Sequence, residues 1–186
     1  MQSTWSPDLY IKVYRFVAIA HHGQIIPGSD LPYILHINLV AMEVTATLTR
    51  DPGLDGDFAV SCALLHDTLE DTDTTYNQLS ETFGPRVSDG VAALSKDPSI
   101  GADIEEKWIR KGLQMADSLE RIKKQPREIW VVKMADRITN LQPPPFHWTH
   151  DKIARYRQEA LEIYNALKGA SPYLSARLKR KIEGYP

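Results

Sequence analysis

Apolar positions in this chain recur with the period of an α-helix almost throughout, and no segment alternates convincingly as a half-buried strand would. Tyr10, Tyr14, Val17 and His21 mark one stripe of a first helix that stops before Gly23. After a Pro/Gly loop, "PYILHINLVAMEVTATLTR" (32–50) reads as a second helix. "DPGLDGD" (51–57) is a turn without the ligand spacing of a calcium loop, and a third helix follows over about 57–72. Thr72 or Asp73 is expected to cap a short helix ended by Gly84, with Pro85 opening the next. A long charged helix is expected over about 102–124. Another starts at Pro126 and stops at Pro143-Pro144-Pro145, and two more fill 150–183. The pattern predicts an all-α chain, one multi-helix bundle over 1–186, whose unusual loops are 23–32 and 142–149.

With 186 residues the chain can bury a core without disulfides. Cys62 stands alone, which removes an internal disulfide and any zinc cluster built from cysteines. The 22 basic and 24 acidic residues nearly cancel, so nothing advertises nucleic acid or an anionic membrane as a partner. No run approaches the length of a membrane span, and the N-terminus lacks the basic-then-apolar plan of a secretory signal. The expected location is the cytoplasm; oligomeric state is not encoded in any pattern seen here.

Three polar intrusions break the apolar stripes. "LLHDTLEDTDTT" (64–75) places one histidine and four acids directly after an apolar run, where unpaired charge is costly unless it meets a partner or a metal. At about 100° per residue, Asp67, Glu70 and Asp71 fall roughly 100°, 40° and 140° from His66, within less than half of a helical cylinder. A solvated acidic face has the same spacing. "PYILHINLV" sets His36 in an apolar run, and in "IWVVKMADRITN" Asp136 shares a stripe with Ile129, Val132 and Asn140. Alone, His36 fits a hydrogen-bonded core histidine, and Asp136 fits a buried ion pair as well as a metal. Together His36, His66, Asp67 and Asp136 form a two-imidazole, two-carboxylate set, suited to Mn²⁺, Fe²⁺ or Zn²⁺ better than to Ca²⁺. Side chains of adjacent residues on a helix diverge, so His66 and Asp67 are expected to meet an ion seated between their helix and its neighbours.

These residues carry a family resemblance. His36, the pair His66-Asp67, and Asp136 reproduce the H…HD…D signature of the HD-domain metal-dependent phosphohydrolases. "AHHGQ", "PYILH", "ALLHDTLEDTDTT", "FGPRV" and "KMADRITN" resemble the hydrolase domain of the Rel/SpoT alarmone enzymes, especially the free-standing small alarmone hydrolases, across roughly residues 10–168. The resemblance implies a helical HD-type domain that uses Mn²⁺ to remove the 3′-pyrophosphate of a nucleotide carrying phosphates at its 5′ and 3′ positions. It also implies Glu70 and Asp71 as the catalytic pair, and Asn140, Lys107 and Tyr156 as substrate contacts. Lys133 and Arg137, flanking Asp136, can neutralise phosphate or pair with the ligand carboxylates. The bland alternatives are Asp71 as a helix cap, Lys107 as a solvated residue of "EEKWIRKGLQ", and Tyr156 as core packing. The synthetase and regulatory regions of the long enzymes have no room here, so a hydrolase alone is expected.

One departure concerns the base. Where the guanosine-alarmone hydrolases carry an Arg-Lys pair, "GQIIPGSDLPY" places Ile26 and Pro27 with one extra residue, and the threonine expected three residues past Asn140 is Pro143. Arginine stacks on a base and donates to guanine O6 and N7; Ile and Pro offer apolar contact only. An adenosine alarmone is therefore expected to be preferred, or accepted alongside the guanosine form. Phe146 or Trp148 of "PPPFHWTH" can supply a stacking surface or pack into the core, and His147 and His150 are expected at the surface or as caps. Two rivals stay open: cleavage of another phosphomonoester, such as a 5′-nucleotide or the 2′-phosphate of NADPH, and an alarmone sensor without turnover.

Overall fold

The structure, a computed structural model, describes residues 5–186; the first four residues of the expected domain lie outside it. Among the described residues it contains ten helices: α1 (Pro7–Ala20), α2 (Ile34–Leu48), α3 (Gly56–Leu65), α4 (Thr68–Asp71), α5 (Tyr76–Phe83), α6 (Pro85–Leu94), α7 (Lys107–Lys123), α8 (Arg127–Asn140), α9 (His150–Leu167) and α10 (Pro172–Glu183). The β pairing among them is one isolated bridge, Ile25 to Pro32. The all-α expectation holds.

Local chemistry explains most boundaries. Ser6, Asp55, Thr149 and Ser171 cap α1, α3, α9 and α10 by accepting the N–H three residues on. Pro85 opens α6, directly after Gly84 takes a positive φ. Three expectations are corrected. The cap of α5 is Thr75 rather than Thr72 or Asp73: Thr75 and Gln78 satisfy each other's main-chain N–H groups, while the Thr72 hydroxyl is spent on the Thr68 carbonyl at 2.7 Å. The charged helix begins at Lys107 rather than near 102. Residues 97–104 instead form successive tight turns, with Ile100, Ala102 and Ile104 each bonding three residues back around Gly101 at φ +66°.

The third correction bears on the site. The helix expected over 57–72 is broken at His66-Asp67. Asp67 relaxes to φ −102°, ψ −2°, and side chains take carbonyls of the preceding turn: His66 Nδ1 lies 2.9 Å from the Ala63 carbonyl, and Thr68 Oγ1 donates to Leu65 at 2.7 Å.

Of the residues in α3, only Asp57 escapes burial, so this helix is the axis around which the others are laid. Helices α1, α2, α6 and α8 pack on it, and α9 and α10 close over α8. A partly exposed Arg177 on α10 clasps the buried Glu43 carboxylate of α2 in a bidentate pair. The contact of α6 with α3 and α8 depends on Gly90. A Cβ there would stand 2.6 Å from Ile129 Cδ1, 3.1 Å from Cys62 Sγ and 3.3 Å from Phe58 Cζ. Gly90→Val should therefore lower unfolding stability in urea by about 1–3 kcal/mol through overpacking; an unchanged midpoint and slope would contradict this close approach.

Candidate metal centre and active site

The inner face of α2 brings His36 down onto the break between α3 and α4, and α8 brings Asp136 up from the other side. His36 Nε2 lies 3.2 Å from His66 Nε2, 3.5 Å from Asp67 Oδ2 and 3.5 Å from Asp136 Oδ1. His66 Nε2 is 2.9 Å from Asp67 Oδ2 and 3.9 Å from Asp136 Oδ1. The expected divergence of His66 and Asp67 does not occur, because the helix breaks between them and both point inward. Among the described residues, His36, His66 and Asp67 form the group whose ligand atoms lie within 4.8 Å of one another, with the Asp136 carboxylate against both imidazoles.

The donor set has the chemistry of a cation site. The Ala63 carbonyl can only accept, so His66 Nδ1 carries a proton and Nε2 is the nitrogen that faces the site. Burial pushes the His36 imidazole down, but hydrogen bonds to and the charges of Asp136 and Asp67 outweigh it and raise its pKa to about 9. Burial works against ionising Asp67 and Asp136 as well. The His66 charge, and the Lys133 ammonium 3.3 Å from Asp136 Oδ2, outweigh it and hold these carboxyls below the usual range.

The carboxyls of Glu70 and Asp71 follow in the next turn. Lys96 holds Glu70 on both oxygens, through its ammonium on Oε1 and its main-chain N–H at 3.1 Å from Oε2. Burial, then the charges of Asp67 and Glu70, push the Asp71 carboxyl up. The Tyr33 hydroxyl donates to Asp67 Oδ2 at 2.6 Å and lies 3.4 Å from Asp71 Oδ2. Burial and the neighbouring Asp67 raise that phenol, so it remains a donor.

An HD-domain family model matches residues 14–172. The chain belongs to the HD-domain family. A guanosine-3′,5′-bis(diphosphate) 3′-pyrophosphohydrolase, MESH1 of Xenopus tropicalis, is 30% identical over 175 residues, covering 91% of this chain and 90% of that protein. A GTP pyrophosphokinase of Myxococcus xanthus is 36% identical over 167 residues, but this HD domain spans only 20% of its length. The fold matches the solved structure of a metazoan SpoT ortholog that hydrolyses ppGpp, with TM-score 0.78, 24% identity and 97% of each chain covered. The resemblance read from the H…HD…D pattern and the Rel/SpoT-like segments is borne out.

The other candidates in this HD domain fare differently. Asn140 donates to Asp136 Oδ1 at 2.5 Å and so braces that carboxylate directly. Arg137 is buried with its guanidinium over the Tyr156 ring, 4.6 Å from the centroid, and Nη2 3.5 Å from Glu159. Its Nε and Nη1 meet no partner among the described residues. Tyr156 therefore packs, against Arg137 and Trp148, rather than standing open. Lys107 is exposed at the start of α7, and its charge, with those of Lys96 and Lys152, bears on Lys111. Phe146 is fully exposed, which removes core packing as its role, and His147 and His150 are exposed as expected. Sequence reading missed Tyr33, Lys96 and Gln24. Tyr33 and Gln24 lay inside quoted segments without a charge to flag them, and Lys96 sits in an unremarkable surface-like stretch.

The titration yields a sign. His36 is raised from 6.5 to about 9 in the folded, metal-free chain, so its stabilising contribution is complete below pH 6.5 and lost as pH rises to about 9. The lowered carboxyls contribute above their ordinary value of 3.8 and lose that contribution as pH falls below it. The Tm difference between chelator-treated parent and His36→Gln should accordingly shrink between pH 6.5 and 9. A difference independent of pH in that window would show that His36 is not held protonated.

Proposed function

We propose that this chain is a metal-dependent hydrolase that removes the 3′-pyrophosphate from alarmone nucleotides, releasing pyrophosphate and a nucleotide with a free 3′-hydroxyl. The observation that carries this reading is the convergence of His36, His66 and Asp67, with the Asp136 carboxylate against both imidazoles and two further carboxyls in the next turn. The activity in the name of the Xenopus relative, aligned over nine-tenths of both chains, supplies the substrate class.

In this reading His36, His66, Asp67 and Asp136 hold the metal, for which Mn²⁺ suits a mixed imidazole and carboxylate set. When bound, such an ion lowers the pKa of its water and polarises a phosphoryl oxygen. The chain's own residues do the rest. Asp71, with its carboxyl pushed up, takes the proton of the attacking water and returns one to the departing 3′ oxygen. Glu70, fixed by Lys96, orients that water. Lys133 and Asn140 hold the Asp136 carboxylate, and Asn140 meets the substrate near its 3′ side by turning its amide from Asp136. Lys107 lends positive charge for the phosphates, and its charge acts together with those of Lys96 and Lys152 at Lys111. Arg137 and Tyr156 form a stacked floor beside Asp136.

Base preference is the finer part of the proposal. The loop between Gln24 and Tyr33, which both contact the site, is a hairpin of Ile25, Ile26, Pro27 and Leu31, closed by the Ile26 N–H on the Leu31 carbonyl at 2.8 Å. Ile25 and Leu31 are more than half exposed, and neither Ile26 nor Pro27 can donate to guanine O6 or N7. We assign adenosine 3′-pyrophosphates as substrates, preferred over or accepted with the guanosine forms. Among the described residues no helix is long and apolar enough to cross a membrane, and we place the enzyme in the cytoplasm with a free nucleotide as its partner.

Metal-stripped protein given Mn²⁺ and ppGpp or ppApp should release pyrophosphate, faster from the adenosine form or comparably from both. A strong ppGpp preference would overturn the base assignment, and orthophosphate without pyrophosphate would favour a different phosphomonoester. Glu70→Gln and Asp71→Asn should each lower kcat by about 100-fold or more with metal retained. Asp136→Ala should lose metal by elemental analysis; full occupancy would exclude it as a ligand.

A further inference from the structure

The segment "AHHGQ" and the tyrosine before Ile34 take no part in the chemistry just described, yet both are tied to it. Gln24 Nε2 donates to the main-chain carbonyl of Asp71 at 2.6 Å, and Gln24 Oε1 lies 2.7 Å from His21 Nδ1. A carbonyl only accepts, so the amide orientation is settled: Nε2 faces Asp71, Oε1 faces the imidazole, and His21 carries its proton on Nδ1. His21 is 3% exposed, and its Nε2 meets no partner among the described residues. The side-chain hydrogen bond of this buried imidazole goes to Gln24 and fixes its amide. The His21 ring also stacks on Tyr33, centroids 5.1 Å apart at 27°.

Tyr33 closes the circuit. Its N–H bonds the Gln24 carbonyl at 2.9 Å, and its hydroxyl reaches Asp67 and Asp71. The apolar hairpin runs between Gln24 and Tyr33, so both of its ends are fastened to the turn that carries Asp71. That turn, α4, has only four residues and little helical stability of its own. Its last residue is held from outside.

We propose that Gln24, supported by Tyr33, is a positioning residue for Asp71, and that the base-facing hairpin and the proton-handling turn form one mechanical unit. How a base seats against Ile26 and Pro27 is then expressed in turnover, not in binding alone. The inference rests on the assignment of Asp71 as the proton-handling group.

Two variants test it in the Mn²⁺-loaded full chain. Gln24→Glu keeps the shape but has no N–H for the Asp71 carbonyl; Gln24→Ala removes the side chain. Both should lower kcat on the faster alarmone by about 10- to 100-fold. KM and Mn²⁺ affinity should change by less than about threefold. The double variant Gln24→Ala/Asp71→Asn should be no slower than Asp71→Asn alone, because both losses pass through one group. Unchanged kcat in Gln24→Glu, a loss carried by KM or by Mn²⁺ affinity, or losses that multiply in the double variant would each overturn the proposal while leaving the hydrolase reading intact. A parent without turnover on any alarmone, or an Asp71→Asn variant as fast as the parent, would overturn the underlying assignment and this proposal with it.

Discussion

The structure is organised around one electrostatic requirement: two imidazoles and two carboxylates are gathered in a largely buried space, and that space needs a positive charge at its centre. Burial alone would drive each group to its neutral form. The surroundings answer with fixed partners. Lys133 and Asn140 hold Asp136, Tyr33 holds Asp67, and the Ala63 carbonyl fixes the tautomer of His66. These are the outer contacts that orient a ligand set and raise its basicity. They are affordable only on a rigid frame, which the almost wholly buried α3 and its packing against α2 and α8 provide.

Much of this could be read from the chain. Helical period placed most elements, with Gly84 and Pro85 marking the boundary between α5 and α6. His36 and Asp136 were visible as polar residues on apolar stripes, and both lie against His66. Two of the three errors share one physical origin. Thr72, His66 and Thr68 are compatible with a continuing helix until their side chains take nearby carbonyls, and periodicity does not register that competition. The start of α7 was misplaced because turns at 97–104 leave no apolar signature.

What the sequence hid is the set of contacts made across long separations by residues of ordinary appearance. Tyr33 meets Asp67 across 34 positions, Gln24 meets Asp71 across 47, and Lys96 meets Glu70 across 26. None carries a local signature, since each acts by where the bundle delivers it. The apolar hairpin shows the complementary case: its composition was plain, but its attachment to the turn of Glu70 and Asp71 was not.

The interruption after α3 has a consequence of its own. His66, Asp67, Glu70 and Asp71 belong to one stretch of six residues, so local backbone geometry bounds how far the inward-facing pair and the two later carboxyls can separate. Within that bound Gln24, Tyr33 and Lys96 hold Asp71 and Glu70 from outside the stretch, so a cassette that is short in sequence takes its final shape from the tertiary frame.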